Sequence, residues 1–145
     1  MSVFKWVSYS SRTNIPANAV EAGHDCDGSK IYVGKARFHN DELPCKIVAQ
    51  RRQAYVAFNS LEHEVQQCEI MVECKLKWQH CNGVHIPPNA VPGGRTSTGE
   101  TLYIGRANHG GSLCVGKVHP SHRCLYLPFG GREISVKSFE ILVSS

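Results

Sequence analysis

The 145-residue sequence contains no apolar run of membrane-spanning length. Its opening, "MSVFKWVSYSSRTN", lacks the basic start and the roughly 7 to 15 apolar residues of an export signal. Cytoplasmic synthesis without membrane insertion is therefore expected, and any extracellular role would call for non-classical release. The signatures of the common catalytic sites are missing too: there is no C-x-x-C pair, no nucleophile elbow and no H-E-x-x-H, and "GGRTSTGE" lacks the Lys-Ser/Thr ending of a phosphate loop. No enzymatic activity, metal or cofactor is expected. Aromatic residues make up only 8% of the chain and do not interleave with its dispersed basic residues, so a net charge of +4 does not imply a nucleic-acid partner. A helical period is absent as well.

The seven cysteines, Cys26, Cys45, Cys68, Cys74, Cys81, Cys114 and Cys124, are odd in number and come without an export signal, which favours free thiols over a disulfide framework. Hydrophobic residues at 41% and charged residues at 19% fit a globular chain with enough apolar material for one shared core.

What the sequence does have is an internal repeat. "IPANAVEAGHDCDGSKIYVGKARF" from Ile15 and "IPPNAVPGGRTSTGETLYIGRANH" from Ile86 align at an offset of 71, without a gap, over 15–72 against 86–143, with about a third of the pairs identical. Retained pairs include Gly23 with Gly94, Lys46 with Lys117, Tyr55 with Tyr126, Phe58 with Phe129 and Glu62 with Glu133. No cysteine is kept in both copies. Two copies are too few for a solenoid and point to pseudo-twofold pairing of units 1–74 and 75–145.

Runs such as "KIYVGKARF", "CKIVA", "QAYVAF" and "CEIMV" are rich in Val, Ile, Tyr and Phe and are separated by turn residues, which predicts an all-β fold. The Gly- and Pro-free stretch from Val65 to Cys81 predicts one long strand or two nearly continuous ones. Both chain ends are expected to pair beside it and interlock the two antiparallel units.

Three groups of residues are candidates for chemistry. "DCDGS" at Asp25 to Ser29 resembles the start of a calcium loop, but Lys30 and Ala36 stand where such a loop needs Gly and a bidentate Glu. Asp27 before Gly28 fits a polar turn in which the carboxylate caps backbone N–H groups. Asp25 is different: Thr96 replaces it in an otherwise retained turn, so the turn does not require an acid there and a functional role is favoured. Lys46 and Lys117 occupy matching places, where solubility and a structural ion pair with Glu62 and Glu133 are both open readings. "HPSHRC" at His119 to Cys124 could supply zinc ligands, but its counterpart "VAQRRQ" does not, and a scattered surface cluster is expected.

The Ile-Pro-x-Asn-Ala-Val core, the Tyr-Val/Ile-Gly-Lys/Arg-Ala strand and the closing Glu-Ile-Met/Leu-Val strand, each occurring twice and in order, resemble tandem DM-nine repeats, also found in natterin-type proteins. Small two-repeat members from bivalve molluscs are calcium-independent, mannose-binding lectins acting in innate recognition. The resemblance implies an all-β homodimer that binds mannose or mannose-rich glycans, including those of microbial surfaces. It also implies that an aspartate and a lysine hold the sugar, positions that fall on Asp25 and Lys46. Repeat two keeps Lys117 but has Thr96 in place of the acid, so a second, weaker site there is left open. The alternative to a lectin is a cytosolic interaction module for a protein or lipid partner.

Overall fold

A computed structural model describes residues 4–73 and 75–145. Cys74, and with it the expected boundary between the units, lies outside the described residues. Repeat one supplies seven strands: β1 (Lys5–Ser10), β2 (Glu21–His24), β3 (Lys30–Phe38), β4 (Asp41–Val48), β5 (Gln53–Phe58), β6 (Leu61–Val65) and β7 (Gln67–Val72). Repeat two supplies their counterparts: β8 (Leu76–Cys81), β9 (Pro92–Arg95), β10 (Thr101–His109), β11 (Ser112–His119), β12 (Cys124–Phe129), β13 (Arg132–Val136) and β14 (Phe139–Ser144). The only helical elements among the described residues are two 3-10 turns, Ala49–Arg51 and Pro120–His122. Every named strand pair is antiparallel, as the all-β reading required.

The strands β2, β3, β4, β9, β10 and β11 pair in that order, and β11 pairs back to β2, which closes a barrel. Closure removes the open edges through which such a sheet would otherwise aggregate. Two short seams join the repeats, His24 against Leu113 and Glu42 against Arg95, and the 71-residue offset turns one into the other. A third contact pairs Leu61 with Arg132, its own counterpart, and so marks the pseudo-twofold axis.

The central stretch forms two strands, β7 and β8, separated by Glu73, whose φ of 118° breaks the extended chain. The two chain ends pair beside these strands as expected, β1 on β7 and β14 on β8. Each of these pairings lies within one repeat, so the chain ends do not themselves interlock the units; the repeats are joined by the seams, the axis contact, the core and side-chain bonds such as Arg106 to Ala22 O at 2.8 Å and Ser112 Oγ to His24 O at 3.0 Å.

Alternation along "KIYVGKARF" buries Ile31 and Val33 on one face of the strand, in the core shared by the two repeats, and Ala36 on the other face, in a core cluster built mostly by repeat one. One core cluster is built by both copies: Ile31, Val33, Val48 and Met71 from the first meet Val91, Ile104, Val115 and Leu142 from the second. At roughly 1.5 to 3 kcal/mol for each buried aliphatic side chain, losing the four partners from repeat two would remove roughly 6 to 12 kcal/mol. That is comparable with the whole stability of a domain. A chain cut after Glu73 should accordingly be insoluble or unfolded, and a monomeric fragment that melts cooperatively would contradict the shared core.

Candidate functional site

The turn from Asp25 to Ser29 is held by its own backbone, with Asp25 N–H donating to Ser29 O (2.8 Å) and Gly28 N–H to Asp25 O (2.9 Å). The Thr96 to Glu100 turn repeats both bonds at 2.9 Å, with Gly99 at φ 95° where Gly28 has 86°. The acid at position 25 is therefore dispensable to the turn, while Asp27 Oδ1 caps Ser29 N–H at 2.9 Å as the polar-turn reading expected, and the second oxygen of each acid is directed to Arg51. The 3-10 turn Ala49–Arg51, ended by Arg52 in the left-handed region, carries the guanidinium across the loop. There Nη2 meets Asp25 Oδ2 at 2.6 Å and Nη1 meets Asp27 Oδ2 at 3.3 Å. Burial pushes the Asp25 carboxyl upward. The hydrogen bond from Arg51, aided by Cys26 N–H and the charges of Lys46 and Arg51, outweighs it and holds the group below the usual carboxylate range.

Lys46, in the middle of β4, is 3% exposed, which excludes the solubility reading. Its Nζ lies 3.0 Å from Glu62 Oε2, donates to Pro128 O at 2.5 Å, and sits 5.3 and 5.8 Å from the ring centres of Tyr55 and Phe129. Glu62 Oε1 in turn accepts Gly131 N–H at 2.8 Å, so the tip of the β12–β13 hairpin of repeat two is tied down beside Lys46. These groups surround a cavity of about 330 Å³, lined from repeat one by Asp25 and Lys46 together with Arg51, Tyr55 and Glu62, and from repeat two by Phe129 and Gly130. The size suits a monosaccharide-scale ligand.

Hydrogen-bonding capacity in this cavity is not exhausted. An ionised carboxylate has about four acceptor positions, and Asp25 has filled two, with Cys26 N–H and Arg51. Of the three Lys46 donors, one faces Glu62 and one Pro128, and the ammonium also lies against the buried Cys114 thiol. Arg51 spends its bonds on Asp25, Asp27 and Gln53 and, among the described residues, keeps two N–H groups uncommitted. Acceptors and donors thus lie side by side against an aromatic wall.

The counterpart site keeps the floor and changes the rim. Lys117, 7% exposed, pairs with Glu133 at 3.0 Å between the rings of Phe58 and Tyr126, at 5.7 and 5.4 Å. Glu133 Oε1 accepts Ser60 N–H at 2.9 Å, which mirrors the bond from Gly131 to Glu62. Thr96 and Thr98 hydrogen-bond each other at 3.0 Å, and His122 stands at the position of Arg51. Loss of the two acids and loss of their guanidinium go together.

The structure thus brings Asp25 and Lys46 into one cavity and puts Lys117 and Thr96 at the corresponding place in repeat two. The ion-pair reading of the lysines holds in both copies. Sequence reasoning gave no site role to Arg51, Tyr55, Glu62 or Phe129, although Tyr55, Glu62 and Phe129 belong to retained pairs and the change from Arg51 to His122 accompanies the change from Asp25 to Thr96. One expectation is corrected: His119 and His122 are not scattered but stacked, with ring centres 3.7 Å apart and planes inclined by 7°, edge-on to Tyr126. The 3-10 turn Pro120–His122 folds the chain back and superimposes them.

A closed antiparallel barrel of two interleaved repeats, with a polar cavity completed by the opposite repeat's hairpin, defines the class. Residues 25–136, more than three quarters of the chain, match the DM9 repeat family, and the protein belongs to it. It is similar to natterins of Thalassophryne nattereri: 26% identical to Natterin-4 over 97% of this chain, and 29% identical to Natterin-1 over 62%. The matches span 34% and 24% of those proteins' lengths, so this chain corresponds to only part of them. Among solved structures, the nematode sperm cell motility protein MFP2B shares the fold with a TM-score of 0.69 over 97% of this chain and 46% of that one, at 10% identity.

Proposed function

We propose that the protein is a lectin-like carbohydrate-binding module, without catalytic activity, whose repeat-one cavity holds mannose and mannose-rich glycans independently of calcium. The observation that carries this reading is the convergence of uncommitted Asp25 acceptors with Arg51 and Lys46 donors beside Phe129. Vicinal hydroxyls donate and accept at once, and charge-assisted bonds to them contribute about 1.5 to 3 kcal/mol each. DM9 membership supports carbohydrate binding in general. Mannose is the choice implied by the resemblance to the two-repeat lectins. One such site binds at about the millimolar level, so capture of a microbial surface calls for several sites, which a homodimer would provide.

A glycan array in the presence of a chelator tests this reading. Selective mannose signals support it, and a blank array would favour the interaction-module alternative. Asp25→Ala should weaken mannose binding at least tenfold and leave the melting temperature within a few degrees, because the Thr96 turn forms without an acid. Titration calorimetry and a thermal melt of the same variant check both halves.

Since the folded Asp25 carboxyl is held below its unfolded value of about 3.9, its contribution is complete above that value and disappears as pH falls through the lowered one. Binding in this cavity should therefore persist at pH 5. Cys26, an exposed thiol lining the same cavity, offers an independent readout. Saturating mannose should slow its alkylation severalfold by mass spectrometry, and an unchanged rate would count against occupancy of this cavity.

A further inference from the structure

The second site differs from the first in ways that amount to more than loss. Its floor is intact and, among the described residues, less committed. Lys117 donates to no main-chain oxygen as Lys46 does to Pro128, so two of its three N–H groups are uncommitted. Glu133 Oε2 is buried, and the Lys117 ammonium at 3.0 Å is its ion-pair partner, with no further donor beside it among the described residues.

Above this floor stand the two imidazoles. His119 Nδ1 faces Ser121 Oγ at 3.3 Å and Glu100 Oε1 at 3.5 Å; that hydroxyl gives its own proton to Glu100 at 2.8 Å, so both neighbours present acceptors. Nδ1 therefore carries the hydrogen and Nε2 is left as an acceptor. His122 Nδ1 lies 2.9 Å from the Tyr126 hydroxyl, and with that hydroxyl donating to Nδ1 the ring carries its hydrogen on the other nitrogen. His122 then presents Nε2–H as a donor. Neither Nε2 atom has a partner among the described residues. An acceptor and a donor thus stand together with ring centres 3.7 Å apart, His122 at the place of Arg51 and His119 where repeat one has Val48.

We infer that repeat two holds a second saccharide site with its own rim, in which His119 accepts and His122 donates to vicinal hydroxyls of a neutral sugar over the Lys117–Glu133 floor. Acidification empties this site while the first stays filled. The inference rests on the sugar-binding reading of the first cavity. Protonation turns the His119 acceptor into a second donor, and a second positive charge on the stack would repel the first. The other charged or titratable groups around the pair are Glu100, Lys117 and Glu133, with Asp41 from repeat one and Tyr126 and Cys124 from β12. Burial, then the neighbouring His122, holds His119 below its ordinary value of about 6.5, with Glu100 opposing. The acceptor is thus present at neutral pH, persists below about 6.5, and is lost as pH falls through the lowered value. Asp25, a carboxylate held low, does not follow.

Methyl α-mannoside titrated by protein-observed NMR separates the sites, because amides of the 25–28 and 96–99 turns report on each. In the wild type both turns should shift at pH 7.5, and at pH 5.0 the second should bind more weakly than at pH 7.5 while the first is unchanged. Asp25→Ala should retain the second site at pH 7.5, and His119→Ala should lose it with the first unchanged. Thr96→Asp/Thr98→Asp/His122→Arg, which installs the first rim, should bind at both pH values in both turns. Wild type that binds only at the first turn overturns the inference and leaves the first-site reading standing. Equal binding at the second turn at both pH values overturns the role of the imidazoles. A wild type that binds at neither turn removes the lectin reading and this inference with it.

Discussion

Lys46→Ala should cost the fold about 3 kcal/mol in addition to abolishing sugar binding in the first cavity, because the residue left behind is a buried carboxylate without a counter-charge. Glu62, whose side chain is 12% exposed, faces Lys46 at 3.0 Å, and the same ammonium hydrogen-bonds Pro128 of the opposite repeat. For a chain of this length that loss lowers the melting temperature by roughly 10 °C. Weakened binding in this variant alone cannot be assigned to a missing ligand contact. Lys46→Met combined with Glu62→Gln removes both charges at nearly constant volume and retains an amide oxygen for Gly131 N–H. Its stability should return to within about 1 kcal/mol of wild type, while mannose binding stays absent. If the double variant binds mannose normally, Lys46 is structural and the site is built on Asp25 and Arg51 alone. Lys117→Ala should be comparably destabilising, since Glu133 is equally enclosed, so the two lysines are to be compared by binding only at matched stability.

The repeat and the strands were legible because both are local. The 71-residue offset needs only residue identities, and alternation in "KIYVGKARF" needs only period two. The pairing of the chain ends beside the central stretch followed from which segments aligned. Closure of the barrel was not legible, because each seam rests on one residue pair, His24 with Leu113 or Glu42 with Arg95, that nothing in their neighbouring residues announces. The same holds for the cavity. Asp25 stood out against Thr96, but Phe129 reaches that cavity from the other repeat through a hairpin held by Glu62, and no spacing along the chain encodes the contact. Arg51 was hidden in an unremarkable "QRRQ" until its distance to Asp25 was known. The histidines were visible only as composition. Their stacking depends on Arg123 taking a left-handed φ of 57°, as Arg52 takes 53° in the first copy, and a pattern of residue types does not report that.

Gly94→Ala and Gly23→Ala should each destabilise the protein by about 3 kcal/mol, at the upper end of what overpacking costs, because the added methyl meets main chain rather than the yielding end of a side chain. A Cβ at Gly23 would overlap Leu113 O, and one at Gly94 would overlap Glu42 O. These are the two inter-repeat seams, and the requirement explains why the glycine is present in both copies. Gly23 is the cleaner test, since its φ is not positive and the cost comes from contact alone. Gly28→Ala and Gly99→Ala provide the contrast. Both positions are open to solvent, so only their left-handed backbone resists a side chain, at about 1 to 2 kcal/mol. The seam variants should also act on different sites. Gly23 lies two residues before Asp25, so moving its strand displaces the acid and should weaken mannose binding at the first turn. Gly94 stands in the same relation to Thr96 and should disturb the second turn while largely sparing the first. Thermal denaturation with the two-turn NMR titration reads both effects. A Gly23→Ala protein melting within about 2 °C of wild type, well short of the shift such a cost implies, would show that the repeats do not meet along this seam.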